Sequence, residues 1–232
     1  MARLVVHQEN IDDVQKLISI CPFGAMVEHN GKVEVTAACR MCRLCVKKGP
    51  KGAMEYVEDE PVPQVDKSAW RGIAVYVDHV EGNIHPVTFE LLGKARELAD
   101  KIHHPVYALF LGNEIEERAE ELLHYGADKV FVCDKEELQD FSIETYTTAF
   151  EQFIHDVKPT AILVGATPVG RQLAPRVAAR FRTGLTADCT ILDMHENTDL
   201  VQIRPAFGGN IMAEILTPNS RPQLATVRYK VM

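Results

Sequence analysis

The sequence lacks an excess of basic residues, a long apolar run and a G-x-G-x-x-G fingerprint. Its 33 Asp and Glu outnumber its 25 Lys and Arg, which gives a formal net charge of -8, whereas a general nucleic-acid binder presents a basic face. No stretch approaches the ~20 apolar residues that span a bilayer, and no signal segment opens the chain. We therefore expect a cytoplasmic protein without a nucleic-acid partner, a membrane span or a dinucleotide fingerprint.

Cysteine is also scarce, with six residues in the whole chain. A disulfide framework is disfavoured because such frameworks suit short secreted domains, and this chain has neither the size nor the signal. Cys133 and Cys189 lie in apolar stretches and are predicted to be small buried hydrophobes. The other four cysteines lie near the N-terminus, three of them in the run CRMCRLC.

These four cysteines match half of a duplicated pattern. The segments CPFGAM and GPKGAM, residues 21–26 and 49–54, align at an offset of 28 residues, which places Cys21 opposite Gly49. The same offset places apolar residues opposite the other three cysteines: Ile11, Val14 and Leu17. In a two-cluster ferredoxin each run supplies three ligands to one cluster and a fourth to the other. One cluster therefore keeps all four ligands, and the other has lost all four.

The predicted cofactor is a single 4Fe-4S cluster. Its predicted ligands are Cys21, Cys39, Cys42 and Cys45. A four-thiolate zinc site is the alternative, but zinc ribbons usually use two C-x2-C pairs rather than C-x2-C-x2-C with a distant Cys-Pro.

Basic residues crowd the loop: Arg40, Arg43, Lys47, Lys48 and Lys51. They are either a solvated face or a collar that raises the cluster's potential and attracts an acidic redox partner.

The chain is predicted to contain an α+β module followed by a larger α/β domain. Residues 1–66 show a strand, a helix, a hairpin turned by Asn30-Gly31 and a helix-strand return, the layout of a ferredoxin-like module. A linker at about 57–69 contains Pro61 and Pro63. From residue 70 to 232, four strand-helix units predict a doubly wound, mostly parallel sheet.

Two expectations concern the end of the sequence. Extended segments in residues 190–228 are predicted to be antiparallel strands or a hairpin that extends the sheet. Because the chain stops at Val231-Met232 without a cap or stop signal, we expect it to be part of a longer polypeptide.

Three long motifs carry a family resemblance. GATPVGRQLAPRVAARFRTGLTADCT, RPAFGGNIMAEI and RPQLATVR resemble the signature stretches of the N-terminal domain of the electron transfer flavoprotein alpha subunit. The resemblance covers residues 70 to 232 and implies a heterodimer with a beta subunit and one FAD between the subunits. It also implies a second FAD in a C-terminal domain that this chain lacks. The matching motif makes five residues candidates for the flavin face: Arg171, Arg204, Phe207, Gly208 and Gly209.

The attached cysteine module resembles that of alpha subunits from anaerobes, which take part in flavin-based electron bifurcation. This implies ferredoxin and a dehydrogenase of the acyl-CoA, caffeyl-CoA or lactate type as partners. No nucleophile, acid-base pair or substrate pocket is evident, so we expect an electron-transfer subunit without a catalytic site of its own. The alternative is a nucleotide-binding α/β regulatory domain with a cluster-based redox sensor.

Overall fold

The chain divides into two compact units, Met1–Pro63 and Gln64–Met232, because most residue contacts lie within one unit or the other. The structure is a computed structural model that describes residues 3–58 and 65–232. Residues 59–64 of the predicted linker, with Pro61 and Pro63, lie outside the described residues. Within the described ranges, no helix has the length and apolar character needed to cross a bilayer.

The first unit contains four strands and two short helices. In chain order they are β1 (Arg3–Val6), α1 (Val14–Ser19), β2 (Met26–His29), β3 (Lys32–Val35), α2 (Leu44–Lys48) and β4 (Met54–Val57). β1 pairs with β4 in antiparallel register, and β2 pairs with β3 as a hairpin. Asn30 and Gly31 have φ of 52° and 75°, so the predicted turn with two positive φ angles is confirmed.

Apolar residues fill the core of the first unit where the duplicated pattern has lost its cysteines. Leu17 is completely buried, and Ile11 and Val14 pack against the same core as Cys45. A Cβ atom on Gly49 would lie 2.4 Å from the Cys45 carbonyl oxygen and 3.0 Å from Leu17 Cδ1. The positions that correspond to the lost ligands therefore belong to, or abut, one packed core.

The second unit alternates strands and helices, as the sequence predicts. Its elements are β5 (Ile73–Tyr76), β6 (His79–Val80), β7 (Asn83–Ile84), α3 (Pro86–Ile102), β8 (Val106–Gly112), α4 (Glu116–Leu123), β9 (Lys129–Asp134), α5 (Ile143–Val157), β10 (Ala161–Gly165), α6 (Pro168–Phe181), β11 (Leu185–Cys189), β12 (Ile191–Met194), β13 (Leu200–Ala206), β14 (Ile211–Ile215) and β15 (Gln223–Val227). Leu91, Leu98 and Leu122 of α3 and α4 pack in one core, and Phe150 and Leu173 of α5 and α6 pack in another.

Six strands form a parallel sheet in the order β11-β15-β10-β5-β8-β9. The chain runs outward from β5 through β8 to β9 and then returns to β10 on the other side of β5. This reversal makes the sheet doubly wound, with its switch point between β5 and β10.

The expectation for residues 190–228 was wrong in part. β12, β13 and β14 form a separate antiparallel sheet, and β15 lies inside the parallel sheet between β10 and β11.

Buried charges anchor the start of the second unit. Lys67 Nζ lies 2.7 Å and Arg221 Nη2 2.8 Å from Asp199 Oδ1. The Arg221 side chain is 0% exposed. Burial tends to raise the pKa of Asp199, but hydrogen bonds from Lys67 and Arg221 and their positive charges outweigh it and hold this pKa below its usual value. Asp199 therefore compensates a guanidinium that is shielded from water.

Gly49→Ala should destabilise the first unit by roughly 1–3 kcal/mol, because the new methyl group has no room between the Cys45 carbonyl and Leu17. Hydrogen exchange of the β1 and β4 amides measures the stability of this unit separately. Gly93→Ala in α3 is the control, since a Cβ there meets nothing within 4 Å and alanine favours the helix by up to ~1 kcal/mol. Unchanged exchange in the Gly49 variant would contradict the proposed packing.

Asp199→Asn should lower the free energy of unfolding of the second unit by roughly 3–5 kcal/mol, because it leaves the buried Arg221 guanidinium without its counter-charge. Urea denaturation measures the loss. The control is Asp156→Asn, whose exposed carboxylate accepts a hydrogen bond from Gln152 and whose loss should cost no more than ~0.5 kcal/mol. Equal effects of the two variants would show that Asp199 is not an anchor.

The same ion pairs predict a pH dependence. The folded-state pKa of Asp199 is depressed below an unfolded value of about 3.9. The stabilisation is therefore fully present above that unfolded value and is lost as pH falls through the folded pKa. The stability difference between the native chain and the Asp199→Asn variant should be constant near neutral pH and shrink below about pH 4.

Candidate functional site

A tight loop carries three of the four N-terminal cysteines into α2. Met41 and Arg43 have φ of 51° and 61°, so the chain turns sharply between Cys39 and Cys45. Cys45 lies in the first turn of α2 and is buried. Cys39, Cys42 and Cys45 thereby come to line one cavity.

Cys21 completes the set from the other repeat, and all four thiols line that same cavity. Their apolar neighbours in the cavity wall are Leu4, Phe23, Ala25, Met26 and Leu44. Backbone N–H groups point at two of the sulfurs: Ala25 N lies 3.4 Å from Cys21 Sγ, and Met41 N lies 3.4 Å from Cys39 Sγ. Hydrogen bonds of this kind tune the potential of iron-sulfur clusters.

Four thiols around one cavity are the donor set that an iron-sulfur cluster requires. Burial raises the pKa of the Cys45 thiol, and charge on Cys39 and Cys42 would raise it further. The cavity has a volume of about 20 Å³, close to the space that one water occupies. Within residues 3–58 and 65–232, no group of three or more His, Cys, Asp or Glu is spaced to hold a single metal ion.

The basic collar is partly neutralised, which the sequence did not indicate. The guanidinium carbon of Arg43 lies 3.6 Å from the centre of the Tyr56 ring, and Arg43 Nη2 lies 2.9 Å from Glu58 Oε1. Arg40 stacks on Phe23 with its guanidinium carbon 5.0 Å from the ring centre. Arg43 therefore does not present a free charge to a redox partner, because Glu58 lies just beyond the loop.

Arginines also gather at the carboxyl edge of the parallel sheet in the second unit. Thr167 caps α6 by accepting a hydrogen bond from Gly170 N at 3.1 Å, and this fixes the first turn that carries Arg171. Arg171 Nη2 lies 3.0 Å and Arg228 Nη2 3.8 Å from the two carboxylate oxygens of Asp188. Two guanidinium groups from α6 and the end of β15 thus meet one carboxylate.

Arg204 lies on β13, one residue beyond the backbone contact of that strand with the segment after β11. Thr190 N donates to the Ile203 carbonyl at 2.9 Å, which brings β13 against the residues that follow β11. Burial raises the pKa of Cys189 to about 12, and the positive charge of Arg204 lowers it in part. Of the predicted flavin-face residues, the structure therefore brings Arg171 and Arg204 to the same segment, residues 188–190.

Gly208 and Gly209 form the turn between β13 and β14. Their φ angles of 72° and 92° favour glycine, and a Cβ atom on either would meet nothing within 4 Å. Phe207 begins this turn, but its side chain lies outside the described part of the chain. The glycines are thus at an open hairpin tip, a few residues beyond Arg204.

Sequence reasoning missed Asp188 and Arg228. Both lie inside the motifs that carry the family resemblance, at or just beyond the carboxyl ends of β11 and β15. Charged residues at that edge of a parallel sheet converge in space, so their position was the available signal. Arg228 was missed because β15 was predicted to be antiparallel. An antiparallel β15 would not need to place its carboxyl end beside that of β11.

Side chains occupy the switch point between β5 and β10. The buried Asp78 carboxylate accepts a hydrogen bond from the Thr167 hydroxyl. A Cβ atom on Gly165 would lie 2.6 Å from Val87 Cγ1. A carboxylate and a close-packed valine disfavour a nucleotide phosphate at this position, which weakens the regulatory alternative.

Cys133 differs from its prediction. Cys189 is fully buried as expected, but Cys133 is only partly buried. It lines a cavity of about 760 Å³ between the edge strand β9 and helix α5, together with Phe131 and Phe153. β9 is an edge strand of the sheet, and none of its residues is fully buried.

Comparison with known proteins identifies the second unit. The model of the electron transfer flavoprotein domain family matches residues 73–232. The chain is 66% identical to the lactate dehydrogenase (NAD(+),ferredoxin) subunit LctC of Acetobacterium woodii, over 100% of this chain and 56% of that protein. It is 46% identical to the electron transfer flavoprotein subunit alpha of Megasphaera elsdenii, over 72% of this chain and 50% of that protein.

A further relative is the acryloyl-CoA reductase electron transfer subunit beta of Anaerotignum propionicum, 41% identical over 72% of this chain and 52% of that protein. The chain spans about half the length of these relatives. The family match, the alpha-subunit relatives and the parallel α/β sheet agree. The chain belongs to the electron transfer flavoprotein family, and its second unit is the N-terminal domain of an alpha-type subunit.

Proposed function

We propose that this chain is part of an alpha-type subunit that carries one 4Fe-4S cluster and transfers electrons between flavin or ferredoxin and a partner dehydrogenase. The observation that carries the proposal is the convergence of four thiols on one cavity, attached to a flavoprotein-family domain. The likeness to LctC, whose name includes a lactate dehydrogenase and ferredoxin, favours the lactate type over the acyl-CoA and caffeyl-CoA types. Electron bifurcation belongs to the assembled complex.

The cysteine loop supplies the cluster ligands. A 4Fe-4S cluster bound there provides a one-electron centre. Cys45 from α2 and Cys21 from the opposite repeat would hold two sides of it, with Cys39 and Cys42 from the loop. The buried Met26 in the cavity wall and the N–H donors to sulfur would help to set the reduction potential.

The arginine-lined edge supplies the electrostatics of the flavin face. The family binds FAD, and we place the inter-subunit FAD of this complex beside Arg204 and Arg171, with Phe207, Gly208 and Gly209 at the hairpin tip. Guanidinium groups near a flavin stabilise negative charge on its reduced ring. A beta subunit would complete this site, and a second FAD would lie in a C-terminal domain outside this chain.

The regulatory alternative has less support. It requires a nucleotide at the switch point, where Asp78, Thr167 and Val87 occupy the space. Co-purification separates the two functions: a coloured heterodimer with FAD and iron supports electron transfer, whereas a colourless monomer that binds ATP supports the alternative.

Cys21→Ala should damage the cluster as severely as Cys42→Ala, because we pair Cys21 with the loop cysteines across the repeat. Anaerobic iron and sulfide analysis and EPR of the reduced protein measure the loss. Cys133→Ala is the control, since Cys133 lies in the second unit and should leave the iron content unchanged. An intact 4Fe-4S signal in the Cys21 variant would disprove the pairing, and zinc in place of iron would disprove the cluster.

Arg204→Gln should make the flavin of the heterodimer harder to reduce. Loss of one unit charge within ~10 Å at an effective dielectric of ~20 is worth about 1–2 kcal/mol, or about tenfold in the reduced-to-oxidised ratio at fixed potential. Potentiometric titration measures the shift. Arg180→Gln is the charge-matched control, because Arg180 pairs with Glu151 at 2.7 Å on the neighbouring helix. Equal potentials in both variants and the native complex would remove Arg204 from the flavin face.

A further inference from the structure

Asp188 has an unusual backbone conformation that directs its side chain. Its φ is 58°, in the left-handed region. The register between β11 and β15 shifts between Thr186 and Cys189, and Asp188 N donates to Thr226 Oγ1 at 2.9 Å. The irregularity frees Asp188 from the regular ladder, and its carboxylate meets Arg171 and Arg228.

The Asp188 carboxylate depends on arginine for compensation. Its Oδ1 atom is buried and has no hydrogen-bond partner among the described residues. Arg171 Nη2 is 3.0 Å from this atom, but the contact lacks hydrogen-bond angles, so charge attraction holds the pair. A second contact also fixes the Arg171 guanidinium, because its Nε donates to the Ala166 carbonyl at 3.0 Å. The guanidinium of Arg171 is therefore held between a carbonyl and a carboxylate.

Arg204 lies on β13, next to Ile203, whose carbonyl accepts a hydrogen bond from Thr190 N. Cys189 follows Asp188. The positive charge of Arg204 lowers the pKa of the Cys189 thiol, and the negative charge of Asp188 raises it. The Asp188 carboxylate is therefore shared by two guanidinium groups, which come from α6 and the end of β15. Without it, these two like charges would lose their shared counter-charge and repel one another.

We propose that Asp188 is a positioning residue, which holds Arg171 and Arg228 at the carboxyl edge beside Arg204 and so sets the positive charge that faces the flavin. This inference rests on the proposed function of the flavin face. Asp188 acts through the arginines and need not touch the cofactor.

The test is a double-mutant cycle on the FAD-loaded heterodimer, measured as the flavin reduction potential. Arg171→Gln is made in the native chain and in Asp188→Asn. Asparagine accepts left-handed φ angles, so Asp188→Asn removes the charge and keeps the backbone. We expect Arg171→Gln to lower the reduced-to-oxidised ratio about tenfold in the native background, ~30 mV for a two-electron couple, and to have at most a third of that effect, in mV, in the Asp188→Asn background.

Two further variants separate positioning from simple charge. Asp188→Glu keeps the carboxylate and should restore part of the coupling. Asp193→Asn is the control, because Asp193 pairs with Lys101 at 2.6 Å and its loss should leave the Arg171 effect unchanged. A urea denaturation of each variant shows whether a shift in potential follows merely from lost stability, which would count against positioning.

The possible outcomes separate a failure of the positioning role of Asp188 from a failure of the proposed flavin face. If Arg171→Gln and Arg204→Gln shift the potential but the Arg171 effect is the same with and without Asp188, the carboxylate does not position Arg171 and the inference fails alone. If neither arginine variant shifts the potential, the flavin face is placed wrongly and both fail. A strongly reduced Arg171 effect in Asp188→Asn, restored in part by Asp188→Glu, supports both.

Discussion

The insertion of β15 between β10 and β11 is the constraint on which the second unit depends. Parallel pairing aligns the carboxyl ends of the three strands, so Arg228 after β15 arrives beside Asp188 of β11 and the first turn of α6. The other end of β15 follows Arg221, whose buried guanidinium pairs with Asp199, and Asp199 also binds Lys67. One strand therefore couples an internal ion pair that stabilises the unit to a charged edge that is open to a partner.

The first unit shows close apolar packing at the positions where the duplicated sequence pattern has no cysteines. A cluster contributes volume, crosslinks and ligand bonds, and its loss leaves a void unless apolar groups replace it. Leu17 is fully buried against the close-packed Gly49, where even a methyl group has no space. The half that keeps its cysteines is built differently, with left-handed residues at Met41 and Arg43 that coil the chain around four thiols. Packing in one half supports the loop conformation in the other, because Cys45 belongs to both the core and the cavity wall.

Local patterns predicted most of the elements, because their signals lie within a few residues of each other. The Asn30-Gly31 turn and the four strand-helix units are examples. Contacts between distant residues were less accessible. The parallel placement of β15 depends on pairing with strands some 60 and 40 residues earlier, and its short apolar run is compatible with either direction. The Arg43–Glu58 pair was missed because Glu58 lies 15 residues after Arg43, beyond the cysteine loop, and Asp188 was missed because its contacts depend on the pairing of β11 with the distant β15.

The charge of the chain as a whole says little about either site. The net charge is -8, yet both candidate sites contain arginine and lysine in excess of carboxylates. Interactions between exposed charges fade over a Debye length of ~8 Å at physiological ionic strength, so a partner that docks at one site responds to the few groups within that range. At the carboxyl edge Arg171 and Arg228 share one carboxylate, and Asp188 therefore has more influence there than the distant acidic residues that make the protein anionic. Local pairing therefore decides the electrostatic potential at the carboxyl edge, and the register shift at Asp188 determines which groups take part in it.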